Sequence, residues 1–232
     1  MKALQMRLLA ILLVFTAAAP AAAQAPLPGA PVGILDALRR DFPLDYNALA
    51  RELAGKAPDE ARRLAYAAID RFLRAHSSAI LAAPASSLVA LEARQGALLR
   101  ALGKQDVRLC ALLGDRGFFG EDALAGPSPP GFDAFGAALI EAAKAGAGPA
   151  RAAPAPAGPE DFAAWFAMVE KIEPDIPVRA MLGDRALRTA SPPDKLCRGA
   201  AAMHEAAAAL PGGAGERMSR TLLRLSIGAA GD

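Results

Sequence analysis

Little in this sequence can carry chemistry by itself. Two cysteines, two histidines and one tryptophan occur in 232 residues, and the common arrangements of reactive side chains are missing. There is no Gly-x-Ser-x-Gly turn to expose a nucleophilic serine, no Walker loop, no glycine fingerprint after a strand and no His-Glu-x-x-His helix. The Cys-x-x-Cys-His run needed for covalent haem is also absent. An enzyme reading therefore has no motif to start from.

Two further absences bound the fold and the partners. No run of four to eight β-branched residues with period two occurs, which excludes a substantial sheet. No excess of one charge occurs either. Lys and Arg number 26 against 24 Asp and Glu, and Lys2 and Arg7 in the N-terminal segment account for the difference. A neutral chain without a basic run has no electrostatic means of holding a phosphate backbone, so no nucleic-acid partner is expected.

What is present begins with that segment. Lys2 and Arg7 precede an apolar run from Leu8 to about Ala19, followed by Pro20 and Ala21-Ala22-Ala23-Gln24-Ala25. This is the layout of a signal peptide spanning residues 1–23, cut after Ala23; a cut after Ala25 is poorer because Pro26 would follow it. About 12 apolar residues fall short of the roughly 20 that span a bilayer. With no Cys near the cut there is nothing to lipidate. The expectation is an exported protein, periplasmic or secreted, with no membrane attachment after cleavage.

Residues 24–31 are Ala, Pro and Gly with little to pack, and read as a flexible leader. Helical stripes follow in a first part spanning 32–145. Leu35 and Leu38 start a short helix. Asp45 caps a second, with Tyr46, Leu49 and Leu53 on one face and Gly55 as its stop. A third opens at Pro58 and buries Leu64, Ala68, Ile69, Phe72 and Leu73, ending near His76. The fourth, capped by Ser86 or Ser87, turns Leu88, Leu91, Gln95, Leu98, Leu99 and Leu102 inward and ends at Gly103. A fifth runs from Gln105 to Leu113 with Gly114 as its stop, and a sixth carries Phe132, Phe135, Leu139 and Ile140.

Residues 146–158, rich in Pro, Ala and Gly, read as a linker or long loop. The second part, 159–232, opens with a helix bearing Phe162, Trp165, Phe166, Val169 and Ile172. Ser191 and Asp194 read as a capping box for the next, which turns Leu196, Cys197, Ala200, Met203, Ala207 and Leu210 inward. A last helix carries Met218, Leu222, Leu225 and Ile227. The expected architecture is all-α, a bundle-like arrangement of eight or nine helices whose second part packs on the first as one domain. The echo of Ala111–Arg116 in Ala180–Arg185 reads as two helix ends, each stopped by Gly.

An even pair of cysteines in an exported chain reads first as a disulfide, here Cys110 to Cys197, each on an apolar helix face. The sharper alternatives are weaker. Cys197 and His204 lie two helical turns apart, about 10 Å along the axis, too far for a thiolate to meet an imidazole. Zinc on Cys110, Cys197, His76 and His204 lacks the usual close spacing of ligands. Haem held by His76 or His204 with Met203 or Met218 competes with ordinary core methionines. No cofactor and no metal is expected. Arg116, Phe118 and Phe119 lie in a Gly-rich loop that can present an aromatic anchor to a partner, although the reading favoured for Phe118 and Phe119 is that they fold back and plug the core beneath the loop. Trp165 and Phe166 have the spacing of core residues. The functional expectation is a non-enzymatic binding or interaction module for a protein or small molecule. The alternative is an enzyme or a cofactor- or metal-binding bundle that uses a pocket between helices.

Overall fold

The computed structural model describes residues 32–116, 131–148 and 155–229. Among them are eleven helices and no strand: α1 (Val32–Asp41), α2 (Pro43–Leu53), α3 (Pro58–Leu81), α4 (Ala85–Gly103), α5 (Val107–Arg116), α6 (Phe132–Gly146), α7 (Pro159–Ile172), α8 (Val178–Gly183), α9 (Arg185–Ala190), α10 (Pro193–Ala209) and α11 (Gly212–Ala229). The fold is all-α. The two helices beyond the sequence expectation are α8 and α9, six residues each. They are too short to show an apolar period, and Asp184 separates them by ending one and capping the other through its side chain. The segments read as signal peptide and leader, 1–23 and 24–31, lie outside the described residues.

Helix starts follow proline more than the expected polar caps. Pro43, Pro58, Pro159 and Pro193 each stand in the first turn, where a missing N–H costs nothing and the fixed φ suits the helix. Asp45 thus sits inside the first turn of α2 and does not cap it. Ser86 and Ser87 lie within α4, whose N-cap is Pro84. The capping box expected from Ser191 and Asp194 does not form, because Pro192 holds the cap position and the Ser191 hydroxyl donates back to the Leu187 carbonyl. Polar caps do act at Asp106, which accepts from the Arg108 and Leu109 N–H groups, and at Asp161, which accepts from that of Gly158.

α4 runs through the core, with Leu88, Leu91, Leu98 and Leu99 fully buried. One apolar cluster gathers α1 to α6 around it and includes Cys197, Ala200, Ala201 and Leu223 from the later helices. A second gathers Trp165, Val169, Ile176, Val178, Met181 and Met218 against the small residues Ala202, Ala206 and Ala207 of α10. The alanines of α10 are therefore a packing device. A Cβ on Gly114 would stand 2.5 Å from the Ala200 Cβ, and one on Gly96 3.3 Å from the Ala201 carbonyl oxygen. Only small residues allow α10 to approach α5 and α4 this closely.

Gly114 accordingly does not stop α5, which continues to Arg116; it serves the contact with α10. Cys110 and Cys197 are joined at this contact, with Cα atoms 5.2 Å apart, so the disulfide ties α5 to α10. Leu225, expected inward, is 62 % exposed, and Leu223 takes the buried place. Among the described residues no helix is long and apolar enough to cross a membrane.

Candidate functional site

A cleft of about 600 Å³ opens between α4, α5, α7, α8, α10 and α11. Its apolar lining comes chiefly from Phe162, Trp165, Phe166, Met203 and Leu222. The stripe of α7 forms one wall. Trp165 is buried and its Nε1 donates to the Met203 carbonyl at 2.8 Å, so α7 is pinned to α10 and the indole is fixed against the cleft. Phe162 and Phe166 are half-buried beside it. The sequence reading placed Trp165 and Phe166 in the core; Trp165 is core and cleft wall at once.

The α7 wall is tied to α11 as well. Asp161 accepts two hydrogen bonds from Arg217 of α11, at 2.8 and 2.6 Å, and one from the Gly158 N–H. The guanidinium and then the backbone donor hold its carboxyl down at about 2. A separate ionic cluster ties α4 to α10 and to the turn after α7. Arg100 makes a two-pronged pair with Glu205, at 2.9 and 2.8 Å, and also reaches Glu173. Arg198 holds Glu173 and Asp175. Burial alone would raise the Glu173 carboxyl, but hydrogen bonds from Arg198 and Arg100 outweigh it and bring it below its ordinary value. These pairs fix the frame of the cleft.

The most unusual polar group in the cleft is His204. It lines the interior at 8 % exposure, and its Nδ1 lies 2.5 Å from Glu92 Oε2. Glu92 is wholly buried on α4, and its second oxygen has no hydrogen-bond partner among the described residues. Burial pushes the Glu92 carboxyl up, and the attraction of His204 offsets only part of that. A carboxylate behind one ring nitrogen orients an imidazole and leaves the other to act. Nε2 takes no partner among the described residues.

Glu92 escaped the sequence reading, although a signal was there. It falls at helical spacing with Leu88, Gln95 and Leu99, in the middle of the inward stripe of α4, where a carboxylate needs a reason. Its partner lies 112 positions away, and local spacing cannot reveal that.

Two further features mark the mouth. Leu182 and Leu225 line the cleft with 44 % and 62 % of their surface exposed. The Arg179 guanidinium stacks on Phe166, 4.5 Å from the ring centroid. A smaller hollow of about 110 Å³ adjoins the cleft and shares Gly114, Asp115, Leu182 and Met203 with it.

The other sequence candidates are not gathered here. Cys110 and Cys197 are bonded to each other, which removes both a thiolate beside His204 and the sulfur ligands of a zinc site. His76 packs against Phe42 and Phe72, 3.5 Å from Asp45. Among the described residues no three His, Cys, Asp or Glu are grouped to hold a metal ion. Phe118 and Phe119 lie outside the described residues, and of Arg116 only its place as the last residue of α5 is described. No family model, curated protein or solved structure matches the chain, so the cleft is read from its own chemistry.

Proposed function

We propose that this is an exported helical binding protein whose cleft takes a small, largely apolar molecule. The observation that carries this reading is the union of an aromatic-walled cleft of about 600 Å³ with a buried histidine held in one orientation, His204 on Glu92. Small-molecule sites have this size and this makeup, with apolar walls and few polar groups that fix orientation. Export rests on the N-terminal segment, and mass spectrometry of a periplasmic fraction should then find a mature N-terminus near Gln24.

The alternative of an enzyme or cofactor binder has one feature in its favour, since a carboxylate-backed imidazole is also how general bases and metal-binding histidines are arranged. A nucleophile is what that reading still needs. Ser226 lines the cleft, but its hydroxyl donates to the Leu222 carbonyl and not to His204. The binding reading therefore stands first.

Trp165, the chain's single tryptophan, reports on the site directly. Titration with a neutral apolar dye such as N-phenylnaphthylamine should shift Trp165 emission and saturate at one site per chain. Plugging the cleft with Leu222→Trp should abolish dye binding while the helical circular dichroism stays. Saturable dye binding that survives in the plugged variant would place the occupant elsewhere and end this reading.

A further inference from the structure

Among the described residues that line the cleft, Arg179 is the one permanent cation, and it forms no pair with any described carboxylate. The acidic residue at the same mouth, Asp115, is engaged by Arg188 at 3.2 Å. The mouth thus carries a positive charge that the described protein leaves unmatched. Stacking on Phe166 holds one face of the guanidinium against the aromatic wall, and its edge N–H groups meet no acceptor among the described residues, the geometry in which arginine meets a carboxylate. Deeper in, the described lining holds no permanent cation: His204 is held on the buried Glu92 carboxyl, and Trp165 and Met203 line the cleft beside it. Exposure orders the lining in the same sense, with Arg179, Leu182 and Leu225 outside and Trp165 and His204 inside.

We infer that the ligand is an amphipathic organic acid, a single carboxylate on an apolar body, with its head on Arg179 at the mouth and its body along Phe166, Trp165 and Leu222. This rests on the cleft reading above and adds the chemical class and the orientation. The occupant is a free monomeric acid, since a body enclosed by the aromatic wall cannot remain in a lipid leaflet.

The test compares two molecules with the same tail at neutral pH, decanoate and decanol, as competitors of the neutral dye. With the full mature chain, decanoate should displace the dye at about three- to tenfold lower concentration than decanol, the range for one solvent-exposed charge-assisted contact. In Arg179→Gln the two should converge, with an unchanged helical circular dichroism spectrum as the control for folding. Arg179→Lys, which keeps the charge but not the planar fork, should fall between. Equal competition in the wild type, or a preference for decanoate that survives Arg179→Gln, overturns the inference. So does sedimentation with phosphatidylglycerol vesicles together with indifference to decanoate, because the anion recognised would then be a membrane headgroup. If neither the dye nor decanoate alters Trp165 emission, the cleft reading itself falls and this inference falls with it.

Discussion

A Cβ placed on Gly103 would stand 2.6 Å from Cys197 Sγ and 3.7 Å from Cys110 Sγ. The last residue of α4 is therefore bare because the disulfide between α5 and α10 fills the space a side chain would occupy. Gly103→Ala should destabilise the oxidised protein by about 1 to 3 kcal/mol through overpacking. In the reduced protein, where the sulfur atoms can move apart, the cost should shrink. Urea unfolding of both redox forms checks this, and an equal loss in the two would break the link between Gly103 and the crosslink.

The crosslink closes a loop between residues 87 apart, for which chain entropy gives about 4 to 5 kcal/mol, an upper figure for most real cases. Non-reducing peptide mapping should recover Cys110 linked to Cys197. Cys197→Ser should lower the melting temperature of the oxidised protein while reductant should leave that variant's melting temperature unchanged.

Glu92 and His204 should behave as a unit. His204→Ala leaves a wholly buried carboxyl group without its partner, and the expected loss is about 1 to 3 kcal/mol. Replacing both, as in Glu92→Leu with His204→Leu, should cost less than the sum of the single changes, because no buried polar group is left unpaired. A double-mutant cycle by denaturant unfolding measures this coupling. Additive losses would mean that the two side chains do not share their burial cost.

Asp161 sets an acid-side prediction. Its carboxyl is held at about 2 by Arg217 and the Gly158 N–H, below its value in the unfolded chain. The stabilising contribution is thus complete above about pH 4 and fades as the pH falls toward 2. Asp161→Asn should flatten that part of the stability profile and loosen α7, visible as a change in Trp165 emission at neutral pH. An unaltered acid profile in the variant would assign the acid sensitivity to other carboxylates.

Helical periodicity in the chain sets the class of fold and most of its inward faces. Periodic apolar residues at helical spacing, such as Leu88, Leu91, Leu98 and Leu99, name their buried side wherever the helix happens to pack, because the period belongs to the helix and not to its neighbours. The pairing of Cys110 with Cys197 was legible for a similar reason, since only two cysteines exist and both sit on apolar faces. Tertiary structure alone decided the rest. Gly114 reads locally as a helix stop, yet α5 continues through it and the glycine admits Ala200 of α10. Glu92 meets His204 and Arg100 meets Glu173 and Glu205 only once α4 lies against α10 and the end of α7. A cleft is likewise a property of how walls from six helices stand apart, and no single wall records it. Local spacing encodes what a helix can bury, whereas the site arises from long-range contacts, whose partners are chosen by the packing of the whole chain.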